Sequence, residues 1–253
     1  MDVAVTSPPY NLGIAYNTFR DTMPRAEYLE WTSTWVSALA RVLSPDGSLF
    51  LNVGSKPTDP WLAMDVAQAA RRHLKLQNLI HWIKSIAIEK ALAGARAGLD
   101  QDLAVGHYKP INSQRFVHDC HEFVFHLTPD GRTPLDRRAV GVRYQDQSNV
   151  SRWRAAGSGV RCRGNTWFIP YDTIQSRDKD RPHPATFPPR LPEMCVRLHG
   201  RGRTRVVADP FLGLGSTALA CVDLGVSFVG FELDESYLRE AVARTAAAIA
   251  GRD

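Results

Sequence analysis

The sequence predicts a doubly wound, mostly parallel α/β domain with a Rossmann-like sheet. Short apolar strand segments alternate with amphipathic helical segments, and this alternation occurs at both ends of the chain. Between residues 128 and 175 the alternation stops, and arginine and glycine become frequent without a helical or strand period. We therefore predict one α/β domain built from residues 1–127 and 176–253, with an insert at 128–175.

The first half of the domain begins with the buried strand Val3-Ala4-Val5, which two prolines end. A helix follows from about Pro24 to Leu43. Its apolar stripe includes Trp31 and Trp35, which we assign to the core. The remaining predicted elements are a strand at 48–53, a helix at 61–71, a strand at 76–83, a mobile surface loop with room for one helix at 85–115, and a strand at 122–127.

The last third of the chain returns to regular alternation. The predicted elements are a helix at 191–198, a strand at 205–208, a helix at 216–224, a strand at 226–231 and a helix at 235–250. A loop from Asp209 to Gly215 joins the first of these strands to the helix after it, which is the position where α/β sheets bind ligands.

Composition excludes several classes of protein. With 253 residues, 44% hydrophobic and a net charge of +5, the chain is globular rather than disordered. No apolar run approaches the ~18 residues of a membrane span, and the first residues do not form a signal peptide. The four cysteines form no CxxC pair, and the cluster of His118, Cys120, His121 and Glu122 fits no standard metal-ligand spacing. We expect a cytoplasmic protein without a metal site.

Positive charge is concentrated in the predicted insert. Residues 132–163 contain eight arginines against two acids, Asp136 and Asp146, so this window carries +6. The concentration favours an anionic partner. The eight are Arg132, Arg137, Arg138, Arg143, Arg152, Arg154, Arg161 and Arg163.

The loop before the helix at 216–224 has the residues of a cofactor site. Gly213 to Ala218 fits the pattern G-x-G-x-x-A, and Glu232 ends the next strand, where an acid suits ribose hydroxyls. An adenosine-containing cofactor is therefore predicted, and NAD is one candidate. However, Asp209 precedes the glycines, and its charge repels a pyrophosphate but attracts a cation such as the sulfonium of S-adenosylmethionine.

A second motif, Thr6-Ser7-Pro8-Pro9-Tyr10, lies at the end of the first strand. The prolines fix the backbone, and the Ser7 hydroxyl and the Pro8 carbonyl can both accept hydrogen bonds from one amino group. The ring of Tyr10 can stack on a flat heterocycle. Because this motif follows a strand at the ligand-binding edge, we treat it as a candidate catalytic site.

Together these motifs resemble the amino-group DNA methyltransferases of the β motif order, and the resemblance covers nearly the whole chain. That family has a catalytic (Asp/Ser/Asn)-Pro-Pro-(Tyr/Phe) motif, a target-recognition region, a His-Pro-Ala-type element and a glycine-rich cofactor loop, in that order. The corresponding segments here are Ser7-Pro8-Pro9-Tyr10, the insert at 128–175, His183-Pro184-Ala185-Thr186-Phe187, and the loop from Asp209 to Gly215. The resemblance implies an S-adenosylmethionine-dependent methyltransferase sheet with an inserted target-recognition region.

The resemblance also implies roles for individual residues. Ser7 and the Pro8 carbonyl would hold the amine hydrogens of a base flipped out of double-stranded DNA, and Tyr10 would stack on that base. Asp209 would lie near the methionine ammonium and Glu232 near the ribose. The full set of cofactor residues is Thr6, His183, Pro184, Ala185, Thr186, Phe187, Asp209, Phe211, Gly213, Gly215, Ser216, Thr217 and Glu232.

Serine in the first catalytic position resembles the cytosine-N4 branch of the family, and adenine-N6 methylation is the alternative. The eight arginines would contact DNA. The family setting implies a partner restriction endonuclease and an association with the nucleoid.

Two further hypotheses assign the chain to other functional classes. A catalytically silent DNA-binding protein on the same scaffold is opposed by the intact motifs. A nicotinamide-dependent dehydrogenase lacks an evident acid for hydride transfer.

One feature departs from the family pattern. The first strand starts at residue 3, so the chain has no room upstream for the neighbouring strand that usually brings an acid toward the adenine ring. We expect either a chain that starts late or a reduced sheet with weaker affinity for the cofactor.

Overall fold

The computed structural model describes residues 1–94, 97–106, 111–144, 150, 159–170 and 186–252. Within these ranges, no helix has the length and apolar character to cross a bilayer.

A seven-stranded sheet forms the centre of the fold, in the order β11-β10-β1-β2-β6-β3-β9. Four neighbouring pairs are parallel, and β6 runs antiparallel to both β2 and β3. The strands are β1 (Val3–Thr6), β2 (Ser48–Val53), β3 (Lys75–Ile83), β6 (His121–Thr128), β9 (Thr166–Phe168), β10 (Val206–Asp209) and β11 (Ser227–Gly230). This architecture confirms the predicted mainly parallel α/β class.

Helices cover both faces of the sheet. One core packs α1 and α2 against apolar side chains such as Leu49, Leu51 and Phe125. The other core packs α4 and α5 against side chains such as Phe50 and Val124. Because β1 and β2 are buried on both sides, their central residues are apolar without alternation, and their polar residues lie near the strand ends. The helices are α1 (Arg25–Val42), α2 (Leu62–Ala70), α3 (Lys90–Ala93), α4 (Arg190–His199), α5 (Ser216–Leu224) and α6 (Glu235–Ala250).

The first strand lies in the middle of the sheet, between β2 and β10. The buried carboxylate of Asp2 reinforces this pairing by accepting hydrogen bonds from the backbone nitrogens of Arg205 and Val206, at 2.8 and 3.0 Å. The outermost strand on one side of the sheet is β11. The apolar residues Phe231 and Leu233, which follow it in the chain, are 61% and 79% exposed.

Part of the predicted insert belongs to the main sheet. Strand β9 pairs with β3, and the side chain of Trp167 is buried together with Val140 and Ile169 in the core against α4. Burial of this apolar surface holds the segment on the sheet, whereas the sequence there shows no strand period. Outside the sheet, the described part of the insert forms a small hairpin of β7 (Val142–Arg143) and β8 (Val160–Arg161).

The segment predicted as a loop at 85–115 also contains strands. An antiparallel pair of β4 (Ser85–Ile88) and β5 (Leu103–Gly106) leaves the sheet where β3 ends, next to the edge that carries Ser7. The short helix α3 lies between the two strands.

A chain of buried polar groups crosses the sheet. The Ser48 hydroxyl lies 2.9 Å from Nε2 of His126 and 2.9 Å from Nδ1 of His199, and the amide of Asn78 reaches the other ring nitrogen of His126. Burial lowers the pKa of His126 to about 3 and the pKa of His199 to about 4. Both imidazoles are therefore neutral in the folded protein at pH 7.

These lowered pKa values predict a pH-dependent stability. The unfolded chain binds a proton at each histidine near pH 6.5, so the free energy of unfolding falls as the pH is lowered from about 6.5 toward 4. Replacing His126→Gln should reduce this slope by about 1.4 kcal/mol per pH unit. Urea denaturation of both proteins between pH 7 and 4.5 measures the difference, and equal slopes would contradict the prediction.

Candidate active site

A cavity of about 620 Å³ lies at the edge of the sheet where β1, β10 and β11 end. It is lined by residues of both sequence motifs, Ser7 to Tyr10 and Phe211 to Gly213. This volume is typical of small-molecule sites, which occur at this edge of α/β sheets. Among the described lining residues, Glu232 is the one with a charged side chain.

A buried carboxylate joins the two motifs. The oxygens of Asp209 accept hydrogen bonds from the Thr6 hydroxyl at 2.7 Å and the Thr217 hydroxyl at 2.6 Å. Burial raises the pKa of Asp209 to about 6, and these hydrogen bonds oppose that rise. Because its oxygens are turned to protein groups and it is 1% exposed, Asp209 does not line the cavity.

Several of the predicted cofactor residues do not line the cavity. Thr6, Asp209, Gly215 and Thr217 are brought together with the site, but none of them lines the cavity. The resemblance implies that Asp209 lies near the methionine ammonium, and this role stays a prediction. Thr6, Asp209 and Thr217 are joined by hydrogen bonds, and the cofactor roles of all four residues stay predictions.

The glycine-rich loop turns sharply into α5. Gly215 has a φ of +82° and lies against α6, where a Cβ atom would be 3.1 Å from the Cβ of Ala241. The backbone nitrogen of Gly213 donates to Oε2 of Glu232 at 2.8 Å, and Oε1 accepts from the backbone nitrogen of Asp234 at 3.0 Å. Both Glu232 and the start of α5, at Ser216, face the cavity.

The hydroxyls of the first motif belong to a hydrogen-bonded network. The Ser7 Oγ lies 2.6 Å from the Tyr10 Oη, which donates to Oε2 of Glu122 at 3.0 Å. The Asn52 amide donates to both Tyr10 Oη and Glu122 Oε2 at 2.7 Å. Lys84 completes the network through an ion pair with Glu122 Oε1 at 3.0 Å.

Sequence reasoning missed three members of this network. Asn52 lies near the end of β2, Lys84 directly follows β3, and Glu122 is the second residue of the antiparallel strand β6, so sheet order alone brings them together. The available signal was the position of polar residues at the ends of apolar strands.

The loop after the first motif is held by a buried acid. Asp21 accepts hydrogen bonds from the backbone nitrogens of Asn11, Leu12 and Ile14. Asn11, with a φ of +58°, exchanges two further hydrogen bonds with the backbone of Met23. The backbone around Tyr10 is therefore fixed on its C-terminal side.

Aromatic side chains form one wall of the cavity. Trp31 and Trp35 each contact the ring of Phe211 edge-on, with centroids 5.5 and 5.3 Å apart. Both tryptophans pack on the core as predicted, but they are only half-buried and also line the cavity. Their assignment to the core alone was therefore incomplete.

Two residues of the predicted His183–Phe187 element are described. Thr186 and Phe187 line the cavity, and Phe187 also packs in the core against α4. His183, Pro184 and Ala185 lie outside the described residues.

The structure does not place the predicted arginines on one surface. Arg132 precedes Thr133, whose hydroxyl donates to the Gly47 carbonyl where β2 begins, at the sheet edge opposite Ser7. Arg137 and Arg138 follow Asp136, which bonds to the end of α4 at the same opposite edge. Arg143 and Arg161 are exposed on the β7–β8 hairpin, and the Nε of Arg163 donates to the Val140 carbonyl. Arg152 and Arg154 lie outside the described residues.

Comparison with known proteins identifies the family of this chain. The model of the N6/N4 methyltransferase family, described as DNA methylase, matches residues 1–243. The chain belongs to this family. It is 28% identical over 250 residues to the type II methyltransferase M.ScaI of Streptomyces caespitosus, with 96% of this chain and 74% of that protein covered. It is 26% identical to the type II methyltransferase M.HpaI of Haemophilus parainfluenzae, covering 96% of this chain and 68% of that one.

Solved structures confirm the fold of this family member. PvuII DNA methyltransferase, which is cytosine-N4-specific, superposes with a TM-score of 0.64 at 17% identity, covering 96% of this chain and 79% of that one. The complex of M1.HpyAVI with SAM superposes with a TM-score of 0.52 at 18% identity, covering 96% and 88%. The family consists of methyltransferases that use S-adenosylmethionine. This is the methyl donor expected from the sequence.

Proposed function

We propose that this DNA methylase transfers a methyl group from S-adenosylmethionine to the N4 amine of cytosine in double-stranded DNA, at a short fixed sequence. The observation that carries this proposal is the single cavity shared by the Ser7–Tyr10 motif and the glycine-rich loop. A donor held at one motif and a base held at the other would meet within that cavity, and such positioning supplies much of the rate of a group transfer.

The donor fits the chemistry of the cavity wall. Its ribose would bond to Glu232, and its flat adenine would pack among apolar residues such as Phe231 and Leu233. Ser216 and Phe211 line the same cavity and would contact the methionine part. Because the other described lining residues are uncharged, Glu232 also gives the cavity its one negative charge for a cationic ligand.

Removing this carboxylate should weaken donor binding. For Glu232→Gln we expect the dissociation constant of S-adenosylmethionine to rise about 10-fold or more, because one strong acceptor is lost from a half-buried site. Calorimetric titration measures the constant. Glu235→Gln is the matched control, since Glu235 is exposed three residues later and pairs with Arg239. Equal affinities for the two variants would contradict the role of Glu232.

The acceptor would be a base flipped out of the duplex. A base that is paired within the DNA duplex cannot reach a cavity at the ends of the strands of the sheet, so it must leave the stack of bases. The Ser7 hydroxyl and the Pro8 carbonyl would hold the two amine hydrogens, and the ring of Tyr10 would contact the base. The choice of cytosine rests on serine, rather than an acid, at position 7.

Nucleoside mass spectrometry of DNA incubated with the protein and methyl-deuterated S-adenosylmethionine tests the reaction and the base together. We expect labelled N4-methylcytosine. Labelled N6-methyladenine would keep the family reaction but overturn the choice of base. The Ser7→Ala variant should lose about 100-fold in turnover at unchanged donor affinity, because one positioned polar contact to the amine is removed.

DNA contacts are proposed for the insert, with a narrower set of arginines than the sequence suggests. A duplex whose flipped base enters the cavity lies over the edge that carries Ser7. Arg132, Arg137 and Arg138 belong to the opposite edge, so we retain Arg143 and Arg161 on the β7–β8 hairpin, with Arg152, Arg154 and Arg163 from the same segment. As the relatives above are type II methyltransferases, we also propose a partner restriction endonuclease.

Charge reversal separates the two groups of arginines. In Arg143→Glu/Arg161→Glu we expect weaker DNA binding and a smaller dependence of the binding constant on salt, by about one unit of log–log slope per lost phosphate contact. Arg132→Glu/Arg137→Glu changes the net charge equally and should keep the wild-type slope. Fluorescence anisotropy between 50 and 200 mM salt measures both. The same slope in both double variants would place the contacts elsewhere.

A further inference from the structure

We propose that Glu122 is the final acceptor of the proton that the amine loses, and that Ser7 and Tyr10 carry the proton to it. The inference rests on the proposed function and adds a path for the proton. It comes from the network at the ends of β1, β2, β3 and β6.

The reaction requires such an acceptor. As the bond between carbon and the amine nitrogen forms, the bond between carbon and the sulfonium sulfur breaks, and its electron pair stays on sulfur. The nitrogen then carries a positive charge until one of its protons leaves. A serine hydroxyl has no capacity to keep an added proton near pH 7, so Ser7 must pass its own proton on.

The distances provide this path. A proton taken by the Ser7 Oγ is matched by transfer of the hydroxyl proton to the Tyr10 Oη, 2.6 Å away. The Tyr10 proton then moves to Oε2 of Glu122, 3.0 Å away. Every oxygen in the path ends with its original number of protons except Glu122, which becomes a neutral acid. The positive charge on the nitrogen and the negative charge on the carboxylate are both removed.

Neighbouring groups hold the path in place. Asn52 donates to both Tyr10 Oη and Glu122 Oε2, which leaves the hydroxyl proton of Tyr10 for an acceptor. Lys84 binds the other oxygen of Glu122 and turns Oε2 toward the tyrosine. A side chain at Gly54 would approach within 3.0 Å of the Tyr10 ring and 3.2 Å of Glu122, so glycine leaves the space in which these two groups meet.

The hydroxyl and the ring of Tyr10 therefore have separate roles. The ring lines the cavity, where it would contact the base, and the hydroxyl connects Ser7 to Glu122. Tyr10→Phe keeps the ring and removes the connection, whereas Glu122→Gln keeps the shape of the side chain and removes the acceptor. Both variants interrupt one path at different points.

The test is single-turnover methyl transfer with saturating S-adenosylmethionine and DNA. We expect Tyr10→Phe and Glu122→Gln each to lower the rate about 100-fold, since the path acts as a general base while charge develops on nitrogen. The double variant should be no slower than the slower single variant, because both changes remove the same function. The rate in deuterated water should be clearly reduced for the wild type and much less for the variants.

Controls separate the path from a structural effect. Donor and DNA dissociation constants should stay within a few-fold of wild type in both variants, and Glu89→Gln, an exposed acid in the connection that follows β4, should keep the wild-type rate. The path would be overturned by a wild-type rate in Tyr10→Phe, or by a rate loss in the double variant equal to the product of the two single losses. It would also be overturned by a solvent isotope effect that is the same in the variants as in the wild type. A wild type that methylates no base would instead refute the proposed function and remove the path with it.

Discussion

The arrangement of the site depends on one buried carboxylate. Asp209 fastens the end of β1 through Thr6 and the start of α5 through Thr217, so the motif after β1 and the loop before α5 share one anchor. The cost of burying the acid appears in its raised pKa, and the hydrogen bonds it accepts offset that cost. A loss at this position would move both halves of the cavity rather than one ligand contact.

A second polar group organises the other side of the cavity. The network of Asn52, Glu122 and Lys84 fixes the two hydroxyls of the first motif from behind, through strands that lie side by side in the sheet. The charged side chains of this network, Glu122 and Lys84, do not line the cavity. Among the described lining residues, Glu232 alone is charged. Charge is thus kept near the place where the reaction would generate a proton.

The sequence predicts most of the sheet but less of the site. The apolar stripe of α1 predicted that helix because such a stripe is set by local spacing, and α5 and α6 were predicted from the alternation of strand and helix segments. Strand β9 escaped prediction because it is three residues long and is stabilised by partners more than 80 residues away in the chain. The joining of the two motifs was predicted from their positions after strands, whereas Glu122 was not assigned a functional role because only sheet order brings it to Tyr10.

The central position of β1 also affects when the fold can form. Its neighbour β10 follows about 200 residues later, and Thr6 bonds to Asp209 across a separation of 203 residues. At roughly 5 to 20 residues per second of synthesis, this strand waits about 10 to 40 s for its partner. The two motifs therefore meet late in synthesis, and until then β1 can pair only on the side of β2.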